Sequence, residues 1–247
     1  MTESVLSCRP VLRTALPDQG LRTAPAGEAL AHDLRAHKEP GFDPAREHIE
    51  VEPDRWPHWA GRLGPPVWQD TPAPTAGRNP STEARARYGC GMEQALDGHI
   101  SSPSIVMRVT FDEGRGQYDP GRIAEQAEAG PPDRLVDSRS GHGLGADGDA
   151  GDVMDEHAHP GPALRPARTA STPRSAVSAA APARRRPDTP GPRSGRASTS
   201  PRRPAPTATS PGPARCAPVC RGGSGAAYTP LTGVEGELHG PLTHDGE

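Results

Sequence analysis

The chain is poor in the side chains that build a protein interior. Leu, Ile, Val and Phe together supply 31 of its 247 residues, below the roughly 20% at which charged chains usually begin to condense a core. Ala alone contributes 34 of the residues counted as hydrophobic, and Ala buries little surface. This shortage argues against a long cooperative enzyme. The longest strongly apolar run, Ile105-Val106-Met107, is far too short for a membrane span. The first twenty residues lack the apolar stretch of a secretory signal. Four cysteines, Cys8, Cys90, Cys216 and Cys220, are too sparse for a disulfide framework. A soluble protein in a reducing, by default cytoplasmic, compartment is expected.

What fills the chain is Pro (32), Gly (29), Ala and Arg (27), together half of all residues. Lys38 is the only Lys and Asn79 the only Asn. Residues with GC-rich codons abound and those with AT-rich codons are scarce, the pattern of a weakly selected or spurious reading frame of a GC-rich genome. Pro, Gly, Ser and Gln make up a third of the chain without a repeat period, a low-complexity composition. The expected fold class is therefore mostly disordered, with at most a small α+β island and short isolated helices.

The net charge of -3 conceals three blocks. Residues 1–160 carry 16 basic and 26 acidic side chains, 161–230 carry twelve Arg against Asp188, and 231–247 carry four acids. Five segments follow: Pro-interrupted 1–80, mostly disordered with short helices; a possible ordered segment 81–137; an acidic Gly/Asp linker 138–160; a basic Arg/Pro/Ala/Ser-rich disordered tract 161–230; and an acidic tail 231–247.

Local patterns place the elements. Leu30 and Leu34 give residues 27–39 one apolar stripe, ended by Pro40-Gly41. Asp43-Pro44 reads as a helix cap opening a turn or two through Ile49. Trp56, Trp59 and Trp68 fall among prolines and read as a loop of loosely collapsed rings. Residues 104–111 read as a strand with Ile105, Met107, Val109 and Phe111 on one face. Asp112-Glu113-Gly114 is turn chemistry. Asp119-Pro120 and Gly130-Pro131 bound a helix over 119–129. No second strand of similar quality is visible.

Motifs for catalysis are present only as fragments. Gly143, Gly145 and Gly148 match a dinucleotide fingerprint, but no strand precedes them and Asp147, Asp149 and Asp152 would repel phosphates. Those acids with Asp155 and Glu156 lack calcium-loop spacing. His157 and His159 read as a solvated pair. Cys216, Cys220, His239 and His244 resemble a zinc set, yet Gly240-Pro241 breaks the helix that would present both histidines. Ser224 between glycines has no strand or helix to hold it strained. No residue is therefore assigned a catalytic, cofactor-binding or metal-binding role, and no cofactor is expected. Only the basic tract needs no fold to act. Arg184, Arg185, Arg186, Arg202 and Arg203 can neutralise phosphates, and with no aromatics interleaved, contact with nucleic acid or acidic proteins is expected to be weak, salt-sensitive and sequence-blind. The expectation is a largely disordered protein without enzymatic activity, the alternative a disordered adaptor acting through 161–230.

Overall fold

The computed structural model describes residues 10–13, 26–39, 44–74, 77, 79–130, 133–141, 150–153, 155, 157, 175–180 and 225–229, with the backbone alone for 10–13, 175–180 and 225–229. Strands β1 (Pro10–Arg13), β2 (Ala45–Glu47), β3 (Val67–Asp70), β4 (Ile105–Val109) and β5 (Leu135–Asp137) alternate with helices α1 (Gly27–Lys38), α2 (Arg55–Leu63), α3 (Thr82–Gly98) and α4 (Pro120–Glu128). Strands β6 (Ser175–Ala180) and β7 (Gly225–Thr229) follow. All pairings within the sheet are parallel, in the order β5-β4-β3-β2-β1-β7-β6. Each of β1 to β5 lies beside its chain neighbour, and the order never reverses as it does in a doubly wound sheet. This is the winding of a (β/α) barrel, open between β5 and β6 among the described residues.

The strand and helix expected over 104–111 and 119–129 are present as β4 and α4, one or two residues shorter at their ends. Their setting differs from an α+β island: β4 lies between β3 and β5 in a parallel α/β sheet. Both faces of a parallel strand are buried: Met107 and Val109 pack with Trp68 and Val153, while Arg108, on the opposite face, lies against α4 and donates from Nη1 to the Ala127 carbonyl. The helix expected from Asp43-Pro44 is instead strand β2. Its backbone pairs with β3 from Ala45↔Val67 to Glu47↔Gln69, and sheet pairing overrides the local helix-start signal. The tryptophan segment is not a loop: Trp56 and Trp59 lie in α2 and Trp68 in β3.

The helices begin and end for local reasons. Glu28 in the first turn of α1 and Arg35, His37 and Lys38 in its last turn match the helix dipole. Gly64 ends α2 at φ 90°, a left-handed conformation that glycine adopts without a Cβ clash. The Ser81 Oγ accepts the Ala84 N–H at 3.3 Å to cap α3. Leu30 and Leu34 of α1 do face the interior, where they meet Trp56, Ala60, Ala45, Val67 and Ile105. Below α3 and α4, Tyr88, Phe111 and Tyr118 pack with Met92 and Ile123, and the Tyr88 and Phe111 rings stack at 5.2 Å. Aromatic rings each bury a large area, so few side chains fill this space. No helix among the described residues is long and apolar enough to cross a membrane.

Candidate functional site

Ligands of parallel α/β folds gather at the carboxyl ends of the strands. That end carries a dense group of buried charges here. β2 brings Arg46, β3 ends on Asp70, and the chain beyond β4 brings Asp112 and Glu113. β5 ends on Asp137, followed by Ser140. Pairing of β4 with β5 continues past both strands, where the Ser140 N–H donates to the Phe111 carbonyl at 2.8 Å and the Glu113 N–H to the Ser140 carbonyl at 2.9 Å. This continuation fixes Asp112 and Glu113 relative to β5.

Residues 150–153, 155 and 157 fold back over the same end. The Asp152 N–H donates to the Val136 carbonyl at 2.8 Å, and Asp137 bridges Gly151 in antiparallel fashion. Gly151 has φ 83°, and a Cβ there would stand 2.6 Å from the Val136 oxygen, so the approach needs glycine. Asp155 and His157 are thereby carried into the site.

Arg46 is the hub. Its Nε and Nη2 donate to the two oxygens of Asp70, each at 2.9 Å, a bidentate pair. Nη2 also donates to Asp112 Oδ1 at 3.1 Å, and Nη1 lies 3.9 Å from Asp155 Oδ2. Burial pushes the Arg46 guanidinium down, but Asp70, Asp155 and Asp112 outweigh it and hold it above its ordinary value. Ile49, held at φ 58°, aims its N–H at Asp70 Oδ2 at 3.2 Å. His48 places Nδ1 3.5 Å from Asp70 Oδ2 and Nε2 3.7 Å from Asp112 Oδ2.

A second chain of contacts rises from the interior toward solvent. The Ser140 hydroxyl donates to Asp155 Oδ2 at 2.5 Å. His157 Nε2 lies 3.0 Å from Ser140 Oγ and 3.4 Å from Asp155 Oδ2, while its Nδ1 lies 3.1 Å from Glu113 Oε1. Burial alone lowers the His157 pKa. The hydrogen bond and charge of Asp155, with the hydrogen bond to Glu113, reverse this and raise it to about 9. Asp155 is the converse: burial raises it, and His157 and Arg46 bring it down to about 2. Burial raises Asp112, only partly opposed by Arg46. Burial and the charge of Asp155 push Asp137 well above the carboxylate range. Glu113 is 42% exposed and sits at φ 49°, a conformation a non-glycine residue holds only where surrounding contacts enforce it.

Of the residues singled out in the sequence, Asp155 and His157 join this site, and His157 is largely enclosed, unlike a solvated histidine. Asp152 instead accepts the Val136 N–H at 2.9 Å. Gly143, Gly145, Gly148, Asp147, Asp149, Glu156, His159, Cys216, Cys220, Ser224, His239 and His244 lie outside the described residues, as do Arg184, Arg185, Arg186, Arg202 and Arg203. Arg46, His48, Asp70, Asp112 and Glu113 had no motif to reveal them. The available signal was a charged residue at the end of a short strand, which is legible only once the strands are paired.

The fold is similar to that of a β-glucuronidase from Parabacteroides merdae, with TM-score 0.57 and 11% identity over 90% of this chain and 34% of that one. It is also similar to an FMN-binding β-glucuronidase from Facaelibacterium prausnitzii L2-6, with TM-score 0.53 and 18% identity over 63% of this chain and 26% of that one. The chain thus spans about a third or less of the length of these proteins, and at these identities the likeness is one of fold. No family model matches the chain, and no curated protein does.

Proposed function

We propose that the strand-end site acts on glycosides, with Glu113 as the carboxylate that moves a proton to or from the glycosidic oxygen. The observation that supports this most is the position of Glu113: half exposed at the mouth of a parallel sheet, and tied at 3.1 Å to a buried, hydrogen-bonded His157. Glycoside hydrolysis in most families depends on a carboxyl group held in a fixed place beside the bond it cleaves. The glycoside class itself rests on analogy of fold with the two β-glucuronidases. Below about pH 9, both His157 nitrogens carry protons. Nδ1–H then donates to Glu113 Oε1, and Nε2–H faces Ser140 and Asp155. His157 in this state fixes the position of the carboxyl group.

The test is turnover of 4-nitrophenyl glycosides, the glucuronide among them, by the full chain. Glu113→Gln keeps the shape and removes the proton-transfer group, so a loss of about 10²–10⁴-fold in rate is expected. A wild-type chain that turns over none of these substrates, as the composition alone suggests, overturns the proposal. Equal rates for wild type and E113Q do the same.

A further inference from the structure

Successive strand residues face opposite ways, so Glu47, the last residue of β2, points away from the Arg46 cluster, and it is fully buried. In the parallel register it stands beside Gln69 of β3. The loop beyond β2 is tied to both side chains. The Glu52 N–H donates to Glu47 Oε2 at 3.5 Å, and Gln69 Nε2 donates to the Glu50 carbonyl at 2.7 Å and to the Asp70 carbonyl at 2.9 Å. A side-chain amide has two N–H donors, so both of those on Gln69 are spent. Oε1 is what Gln69 has left to offer. It is buried without a hydrogen-bond partner among the described residues, as is Glu47 Oε1.

An ionised Glu47 would set two acceptors side by side with no donor between them. The charges that face it, Glu52 and Glu50, share its sign, and Asp33 of α1 adds its own charge to Glu52. A buried charge without a counter-charge takes up a proton instead. We propose that Glu47 is held in the folded chain as a neutral carboxylic acid whose proton lies in a hydrogen bond to Gln69 Oε1, and that this pair staples the loop beyond β2. One proton then gives both orphaned oxygens a partner. Burial, then the charge of Glu52, pushes the Glu47 carboxyl well above the carboxylate range, and the Glu52 N–H and the nearby Gln69 amide oppose this only in part. The stapled loop serves the strand-end site. It carries His48, beside Asp70 and Asp112, and Ile49, whose N–H reaches Asp70. Glu47 is a positioning residue that acts through this loop. The staple is independent of the glycoside reading, because its readout is a carboxyl proton and not turnover.

The experiment is infrared difference spectroscopy of the full chain at neutral pH, wild type against Glu47→Gln. The wild-type spectrum is expected to hold a protonated-carboxyl C=O band that E47Q lacks, and equal spectra in that region overturn the proposal. A Gln side chain can accept from the Glu52 N–H and donate to Gln69 Oε1. E47Q is therefore expected to fold and to melt no lower than wild type, and its failure to fold overturns the proposal too. In the unfolded chain Glu47 ionises near its ordinary 4.5, whereas the folded chain keeps the proton. Wild type should then lose stability relative to E47Q as the pH rises above that value. A melting difference that stays constant between about pH 4 and about pH 7 contradicts the assignment. Glu47→Met neither donates nor accepts, and is expected to exchange the Ile49 amide proton several-fold faster than E47Q. Equal exchange in the two variants overturns the positioning role.

Discussion

Arg46→Met is expected to destabilise the protein by about 3–5 kcal/mol, the cost of removing one partner of a buried ion network. Met fills much of the same space and donates nothing. Asp70 then loses both bidentate bonds at 2.9 Å, and Asp112 loses its single donor at 3.1 Å. Three carboxylates from β3, the β4 end and the 150–157 segment would face each other without their shared cation. Urea unfolding of the variant against wild type measures the effect. A change under about 1 kcal/mol, the usual scale of an exposed ion pair, would mean that Arg46 does not hold the strand ends together.

Stability is also expected to fall as the solution becomes alkaline, with His157 as one cause. Its pKa rises from an ordinary 6.5 to about 9 in the folded protein. Folding therefore favours the protonated ring. The contribution is fully present below about pH 6.5, shrinks above it, and is gone once the pH passes about 9. A gap of that size corresponds to roughly 3 kcal/mol. The low pKa of Asp155 reflects the same pairing and adds no second contribution. Ionisation of Asp137 and Asp112 opposes folding over a pH range of its own, with the same downward slope. His157→Gln separates the causes, because it should flatten the decline between about pH 6.5 and pH 9 and leave the rest. Urea midpoints across that range check this, and an identical slope in H157Q would exclude His157 as the cause.

The parts of the fold that were readable from sequence are those whose pattern is local. Ile105, Met107 and Val109 announce β4, and Asp119-Pro120 with Gly130-Pro131 bound α4. Leu30 and Leu34 mark α1. Strand β2 was unreadable because Ala45-Arg46-Glu47 carries no strand-forming residue and follows a helix-start pair. Its extended form comes from β3 beside it and from Arg46 reaching Asp70. Trp56 and Trp68 are obscured for a related reason: the prolines around them are disruptive by local rules, yet Pro57 lies in the first turn of α2, where a missing N–H costs nothing.

The shortage of aliphatic side chains was real, and its consequence was overstated for the described residues. Ala45, Ala60, Ala124 and Ala127 bring elements close, large rings fill the gaps, and paired ions occupy the strand ends. Composition counts none of these as core. The site was hidden because its members come from five places in the chain. Asp155 and His157 sit in a segment whose glycines and aspartates read as a linker, although Gly151 is what allows that segment to press against Val136.

Hydrogen exchange of backbone amides in the full chain bears most directly on whether short polar strands and a buried ion cluster suffice to order this sheet. The amides of Gln69, Met107, Arg108 and Val136 should exchange many times slower than unprotected peptide, with Arg46→Met abolishing most of that protection. Rapid exchange at all four positions in the wild-type chain would contradict the parallel sheet and everything built on its strand ends.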